Sequence, residues 1–307
     1  SIFQFVSFAA SLTFWPPFPI ARESLSSGTI TLADFVISSI STEITFAGDK
    51  KNYVVDEFSN VYYVSGSNYA IHTYLISNSS TNVNIELSYN KAINGTNYVL
   101  TEILPYAFYK TKMTEVDLTA AGQAALNISK VGFAAFKDAN NLTAMTVDFV
   151  GESTSSNTYL SYLFGNNSGT ALAATSMVPS SLKTITVLEQ GTVPTDAFKG
   201  LSNVEKIIIP GLVVIGENAF FGCTSLSSLS TNGVGFNISG VTHINANAFN
   251  GCKNLPTQMI FGENLQEVGS KAFALTNITY VYIPRTISQI ASDTFDGTTT
   301  LKEARLY

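Results

Sequence analysis

At 307 residues the chain is long enough for one extended array or two domains, and 45% apolar residues supply a continuous core. Charged residues are only 12%, about half the roughly 25% of ordinary soluble proteins, so Ser, Thr and Asn carry much of the solvent-facing surface. The net charge of -6, with 22 acidic against 16 basic residues and no basic run, argues against nucleic acid and anionic membrane as partners, because phosphate neutralisation needs clustered Lys and Arg.

Residues Ser1 to Ile20 are apolar and carry Phe3, Phe5, Phe8, Phe14 and Trp15. Gln4 and the Pro16, Pro17, Pro19 cluster interrupt them before the roughly 20 residues that a spanning helix needs. No membrane span is expected there. The segment also lacks the basic start of a signal peptide, so an ordered mature N-terminus is expected, one that fits removal of an earlier targeting sequence. Residues 1–99 continue with β-leaning runs, Lys51 to Val64 and Val83 to Tyr89, which predict a β-rich N-terminal cap or small domain covering the first layer of the downstream residues.

From residue 100 to 307 the chain repeats. An aliphatic residue followed four positions later by Ala-Phe recurs at Ile103 to Phe108, Val131 to Phe136, Val193 to Phe198, Ile215 to Phe220, Ile244 to Phe249 and Val268 to Phe273. Tyr159 to Phe164 and Ile290 to Phe295 are degenerate copies, with Leu163 and Thr294 in place of Ala. Five or six residues after most of these Phe residues an aliphatic opens an alternating apolar run, as in Val204, Ile207, Ile209 or Ile278, Val281, Ile283. After Phe164 the gap is much longer, so that unit carries an insertion.

Alternation is the two-residue period of a strand with one inward face. Each unit is therefore expected to donate one strand to a parallel ladder. Phe fills the space between layers, and Ala leaves room where the backbone passes close. Gly200, Gly222, Gly251 and Gly297, two positions after Phe, suit a positive φ. A single unit cannot bury its own Phe, so stability must come from stacking neighbours.

The stretch Ile209-Pro210, then Val214-Ile215-Gly216-Glu217-Asn218-Ala219-Phe220-Phe221-Gly222-Cys223-Thr224-Ser225-Leu226, resembles the bacterial BspA-type leucine-rich repeat. Tyr162-Leu163-Phe164-Gly165 with Val178-Pro179-Ser180-Ser181-Leu182 also looks like an inserted element of such surface proteins. The resemblance runs from about Leu100 to Tyr307 and implies a repeat solenoid, a secreted or cell-surface location, and a role in adhesion or protein interaction without naming a ligand.

The chemistry-bearing residues are sparse. Cys223 and Cys252 share a register in consecutive units. Strand spacing suits a disulfide in Cα distance, but parallel Cβ vectors do not, which favours buried free thiols. His72 and His243 are the only histidines and belong to no ligand-spaced cluster, so neither a zinc site nor a Ser-His-Asp triad is expected. Asp56 and Glu57 are adjacent, which on a strand points them to opposite faces and away from paired carboxylate chemistry. Neither catalytic residues nor a cofactor are expected. Seven N-x-S/T sequons are about what the composition gives by chance and say nothing about glycosylation.

Two surfaces remain. The longer loops, Thr119 to Lys130, Asp148 to Thr158 and Asn232 to His243, are expected to project as a rim along one edge. The outward strand positions Asp117, Thr146, Thr186, Ile208, Ser230, Tyr282 and Arg305 form a candidate binding face, with Ile208 and Tyr282 its apolar and aromatic members. The expected function is a non-enzymatic extracellular adhesion module for a protein or glycan. The alternative is a filament subunit that contacts copies of itself through the apolar N-terminus and the last strand, at Leu306 and Tyr307.

Overall fold

The computed structural model describes residues 101–119, 128–188 and 191–307 with their side chains and, before residue 101, the backbone of strands alone. Phe3, Phe5, Phe8, Phe14 and Trp15 lie outside the described residues. Early strands pair antiparallel, from Phe35–Ile37 through Glu43–Phe46, Asn52–Val55 and Asn60–Ser65 to Tyr69–Leu75. Pairing then turns parallel: Tyr69–Leu75 lies beside Thr96–Ile103, which lies beside Lys130–Val131.

The repeats stack as expected, and their phenylalanines form the core. Phe108, Phe136, Phe164, Phe198, Phe220, Phe249 and Phe273 are all at most 1% exposed. Burial of such a side chain stabilises by about 1.5–3 kcal/mol. Rings of successive units stack at 5.0 Å for Phe108 and Phe136, 5.2 Å for Phe198 and Phe220, 5.0 Å for Phe220 and Phe249, and 5.1 Å for Phe249 and Phe273. Phe295 closes the series at 5.8 Å from Phe273 and is half-buried.

One main ladder runs through Ile85–Glu86, Glu115–Asp117, Ala144–Val147, Thr184–Val187, Lys206–Ile208 and Ser228–Ser230, all parallel. Burial alternates along these strands, with Met145, Val147, Ile185, Val187 and Ile207 inward. The expectation of one strand per unit is corrected here. Ile103 and Val131 pair with each other in the sheet of the early strands, while from Val193 onward the aliphatic residue at the start of each Phe step belongs to a second parallel ladder of two-residue strands: Thr192–Val193, Val214–Ile215, His243–Ile244, Glu267–Val268 and Gln289–Ile290. Each strand is this short because only one apolar residue per unit needs an inward position before the chain turns.

The Ala-Phe turn is a third rail of hydrogen bonds between units. In one unit the N–H groups of Asp196, Phe198 and Gly200 donate to the carbonyls of Glu217, Ala219 and Phe221 in the next, at 2.9, 2.7 and 2.7 Å. Asn218, Phe220 and Gly222 repeat the pattern onto Ala246, Ala248 and Asn250. Every second N–H can point forward because the residues on either side of Phe are left-handed. Gly200 and Gly222 have φ of 76° and 71°, as their sequence position predicts, and Asp196 and Asn218 have φ of 60° and 53°. Asp and Asn tolerate this conformation better than most residues.

The insertion after Phe164 forms the helix Ala171–Met177, whose Thr170 side chain caps it by accepting from the Ala173 N–H. Thr175 donates to the carbonyl of Gly200 at 3.0 Å, which fixes the helix against the turn of the following unit. The insertion also shifts the turn rail: Leu160, not Phe164, donates to the Ala197 carbonyl.

A second irregularity divides the main ladder. Strand Ser228–Ser230 pairs on its far side with Phe236 of its own following loop through an isolated bridge at Leu229. The later strands Gln258–Ile260, Tyr280–Ile283 and Glu303–Leu306 therefore form a separate three-stranded parallel sheet.

Candidate functional site

The outward positions line up across the ladders. Asp117, Thr146, Thr186, Ile208 and Ser230 are consecutive Cα partners in the first sheet. Ile260, Tyr282 and Arg305 are consecutive partners in the second. These positions form two aligned rows, one in each sheet, and their character differs along the array.

At its start the first row is polar and self-satisfied. The Asp117 carboxylate accepts from the Thr119 N–H at 2.8 Å and from its hydroxyl at 2.5 Å. Thr146 and Thr186 are half-buried.

In the middle Ile208 is half-buried, like Thr146 and Thr186, and Ser230 is covered, which corrects the reading of Ser230 as an outward position. Ser230 is fully buried, and its hydroxyl has no hydrogen-bond partner. The loop after it folds back over the sheet instead of projecting as a rim. A Cβ on Gly233 would lie 3.1 Å from the Ile208 side chain, and the Ser228 hydroxyl donates to the Gly235 carbonyl at 2.7 Å. Phe236 anchors the loop by packing edge-on against Phe249 with centroids 5.9 Å apart.

Beyond this loop the face opens. Ile260 is 62% exposed, and Tyr280 and Tyr282 present partly exposed rings beside it in the next strand. Arg305, exposed, donates from Nε to Glu303 at 2.5 Å. That hydrogen bond holds the Glu303 carboxyl below its usual range and raises the guanidinium further. The result is an apolar and aromatic patch with a charged pair along one margin, the composition favoured where proteins meet. Sequence reading reached Tyr282 and Arg305 but missed Ile260. Leu306 and Tyr307, on and just after the last strand, are exposed, and the Tyr307 hydroxyl donates to the Phe261 carbonyl at 2.6 Å.

The two cysteines belong to the core. Cys223 and Cys252 are free thiols, fully buried, and donate to the carbonyls of Phe198 and Phe220 in the preceding units, each at 3.0 Å. Burial pushes the Cys223 thiol up to about 12 and Cys252 well above its usual value, which favours the thiol over the thiolate at both. His243 sits in a two-residue strand with Nδ1 2.9 Å from the Thr242 hydroxyl. His72 lies in the strand Tyr69–Leu75. Among the described residues no group of three or more His, Cys, Asp or Glu converges on a metal position, and no helix is long and apolar enough to cross a membrane.

One carboxylate is held unusually well. Glu152, with 14% of its side chain exposed, meets the Lys130 ammonium at 3.2 Å and accepts from the Asn157 amide at 2.6 Å. Burial alone would raise its pKa, but these donors outweigh it and bring it below the usual value. The Tyr162 phenol beside it is pushed up to about 12 by burial and by the carboxylate. Since Glu152 comes from the Asp148 to Thr158 loop and Lys130 from a strand, the pair pins that loop to the stack.

Stacked units, three rails of inter-unit bonds and a solvent-facing strand row define a leucine-rich-repeat solenoid. The chain belongs to the BspA-type leucine-rich repeat family, whose pattern matches six copies over residues 63–187, 101–227 and 191–306. Similar solved structures include a leucine rich cell surface protein from Faecalibacterium prausnitzii, 14% identical, covering 84% of this chain and 95% of that one, with a TM-score of 0.34. A leucine-rich repeat protein from Bacteroides ovatus is 17% identical over 84% of this chain and 70% of that one, with a TM-score of 0.37. The leucine rich repeat protein of T. pallidum is 17% identical over 72% and 88%, with a TM-score of 0.34. None of the curated proteins compared with the chain matches it.

Proposed function

We propose that this chain is a non-enzymatic adhesion module of a bacterial cell surface, secreted or surface-held, that binds a protein partner through the sheet face around Ile260, Tyr282 and Arg305. The observation that carries the reading is the exposure of Ile260 next to partly exposed Tyr280 and Tyr282 on strands fixed in register. Rigid aromatic and aliphatic anchors of this kind supply most of the energy of protein recognition. The buried, high-pKa thiols support a binding role over a catalytic one. We read the chain in two parts: a β-rich N-terminal part over residues 1–99, whose later strands already pair parallel with the array, and the array itself over residues 100–307.

The test is affinity for a panel of purified extracellular host and matrix proteins, measured with the whole chain and with an Ile260→Ser, Tyr282→Ser double variant. At least one protein should bind, and the double variant should weaken it tenfold or more at an unchanged melting temperature. Absence of any binder, or equal binding by the double variant, overturns the assignment of this face.

A further inference from the structure

Two hollows among the described residues lie away from the sheet face, on the turn side of the first units. They measure about 360 and 340 Å³ and meet at Asp138 and Asn140. The first runs between the turns at Lys110 to Lys112 and Asp138 to Asn141. The second continues from Lys137 to the C-terminal end of the inserted helix and to Asn203. The C-terminal end of helix Ala171–Met177, with Thr175, Ser176 and Met177, lines the second hollow.

The two hollows make one groove, whose charge is opposite to that of the chain. Lys110, Lys112 and Lys137 face one carboxylate, Asp138, a local excess of two positive charges on a protein of net charge -6. The Lys110 ammonium sits 5.0 Å from the Tyr109 ring centroid. The rest of the lining is mostly amide and hydroxyl, including Asn140, Asn141 and Ser176, groups that both donate and accept. Thr111 lines the groove too, and its hydroxyl is buried without a partner. Thr298 and Cys223, at the same repeat position, donate to carbonyls of the preceding unit.

We propose that this groove binds an acidic saccharide, with carboxylate or sulfate groups on Lys110, Lys112 and Lys137 and ring hydroxyls on the amides and hydroxyls between them. Lysine meets such anions as a mobile point charge and requires no fixed bidentate geometry, which suits substituents spaced along a flexible sugar chain. The site is independent of the sheet face around Ile260 and Tyr282.

Titration of the whole chain with a sulfated heparin hexasaccharide, a galacturonate hexamer, neutral maltohexaose and a short poly-glutamate peptide tests the proposal. At least one acidic saccharide should bind, at least tenfold tighter than maltohexaose and the peptide, and the affinity should fall as salt rises. Which of the two binds tells carboxylate from sulfate. The Lys110→Gln, Lys112→Gln variant should lose tenfold or more, and both side chains are exposed, so an unchanged melting curve confirms folding. Ile260→Ser, Tyr282→Ser should leave saccharide binding intact. Binding by neither acidic saccharide, equal binding by maltohexaose or poly-glutamate, or indifference to the lysine substitutions overturns it.

Discussion

The Cys223 thiol donates to the Phe198 carbonyl of the preceding unit at 3.0 Å, and the Thr298 hydroxyl makes the same bond to Phe273 at 2.8 Å. One position in the repeat therefore asks for a small donor that closes the gap between turns, and sulfur or oxygen can supply it. Replacement of Cys223 by Thr should change stability by less than about 1 kcal/mol, while Cys223→Ala removes one of the two hydrogen bonds that the Phe198 carbonyl accepts, the other coming from the Leu201 N–H at 3.1 Å, and should cost about 1–2 kcal/mol through the lost bond and the lost packing of the sulfur. Urea unfolding of the two variants measures this. Alkylation of the native protein should proceed only as fast as it opens.

Two glycines of one unit separate conformational from steric demand. A Cβ at Gly216 would lie 2.5 Å from the Val193 carbonyl oxygen, backbone that cannot move aside. At Gly222 it would meet nothing nearer than 3.9 Å, and only the φ of 71° opposes a side chain. Gly222→Ala should cost about 1–2 kcal/mol, and Gly216→Ala clearly more. In the opposite sense, Leu275 holds a φ of 55° at the position where Gly222 and Gly251 stand. Leu275→Gly should be neutral or stabilising by up to about 1 kcal/mol. Thermal melts of the three variants check the order.

Glu152 gives the fold an acid-sensitive contact. Its folded pKa lies below the ordinary 4.5, so the unfolded chain takes up the proton first as pH falls. The stabilisation is complete above that ordinary value and is lost as pH drops through the folded one. Glu152→Gln should be less stable than the parent at neutral pH, and the difference should shrink on acidification. Melting temperatures across the acid range would show a constant difference if the contact contributed nothing.

Much of this was legible in the sequence, and the exceptions have physical causes. The phenylalanine column and inward aliphatics showed as a period because each must be apolar in every unit. The second ladder did not, since a two-residue strand with one apolar side chain leaves no alternation to see. The left-handed position before Phe is occupied by Tyr106, Ala134, Asp196, Asn218, Asn247 and Lys271, which share a backbone conformation but no side-chain chemistry. Ile260 escaped notice because the unit after Phe249 has its inward residues at Met259 and Phe261, one place later than the spacing of Leu255 suggests. Ser230 was misjudged because what buries it is a loop whose course depends on positive φ at Gly233 and Gly235, a feature alternation does not record.

Native-state hydrogen exchange in the Phe249→Ala variant tests most directly whether neighbouring units hold one another in place. The amides of Phe198, Phe220 and Phe273 donate to the units that follow them. Loss of the central ring, which should cost about 3–5 kcal/mol, is expected to reduce protection most at Phe220 and Phe273, less at Phe198 and least at Phe108. Loss of protection confined to the unit of residue 249, or equal at every position, would contradict the account.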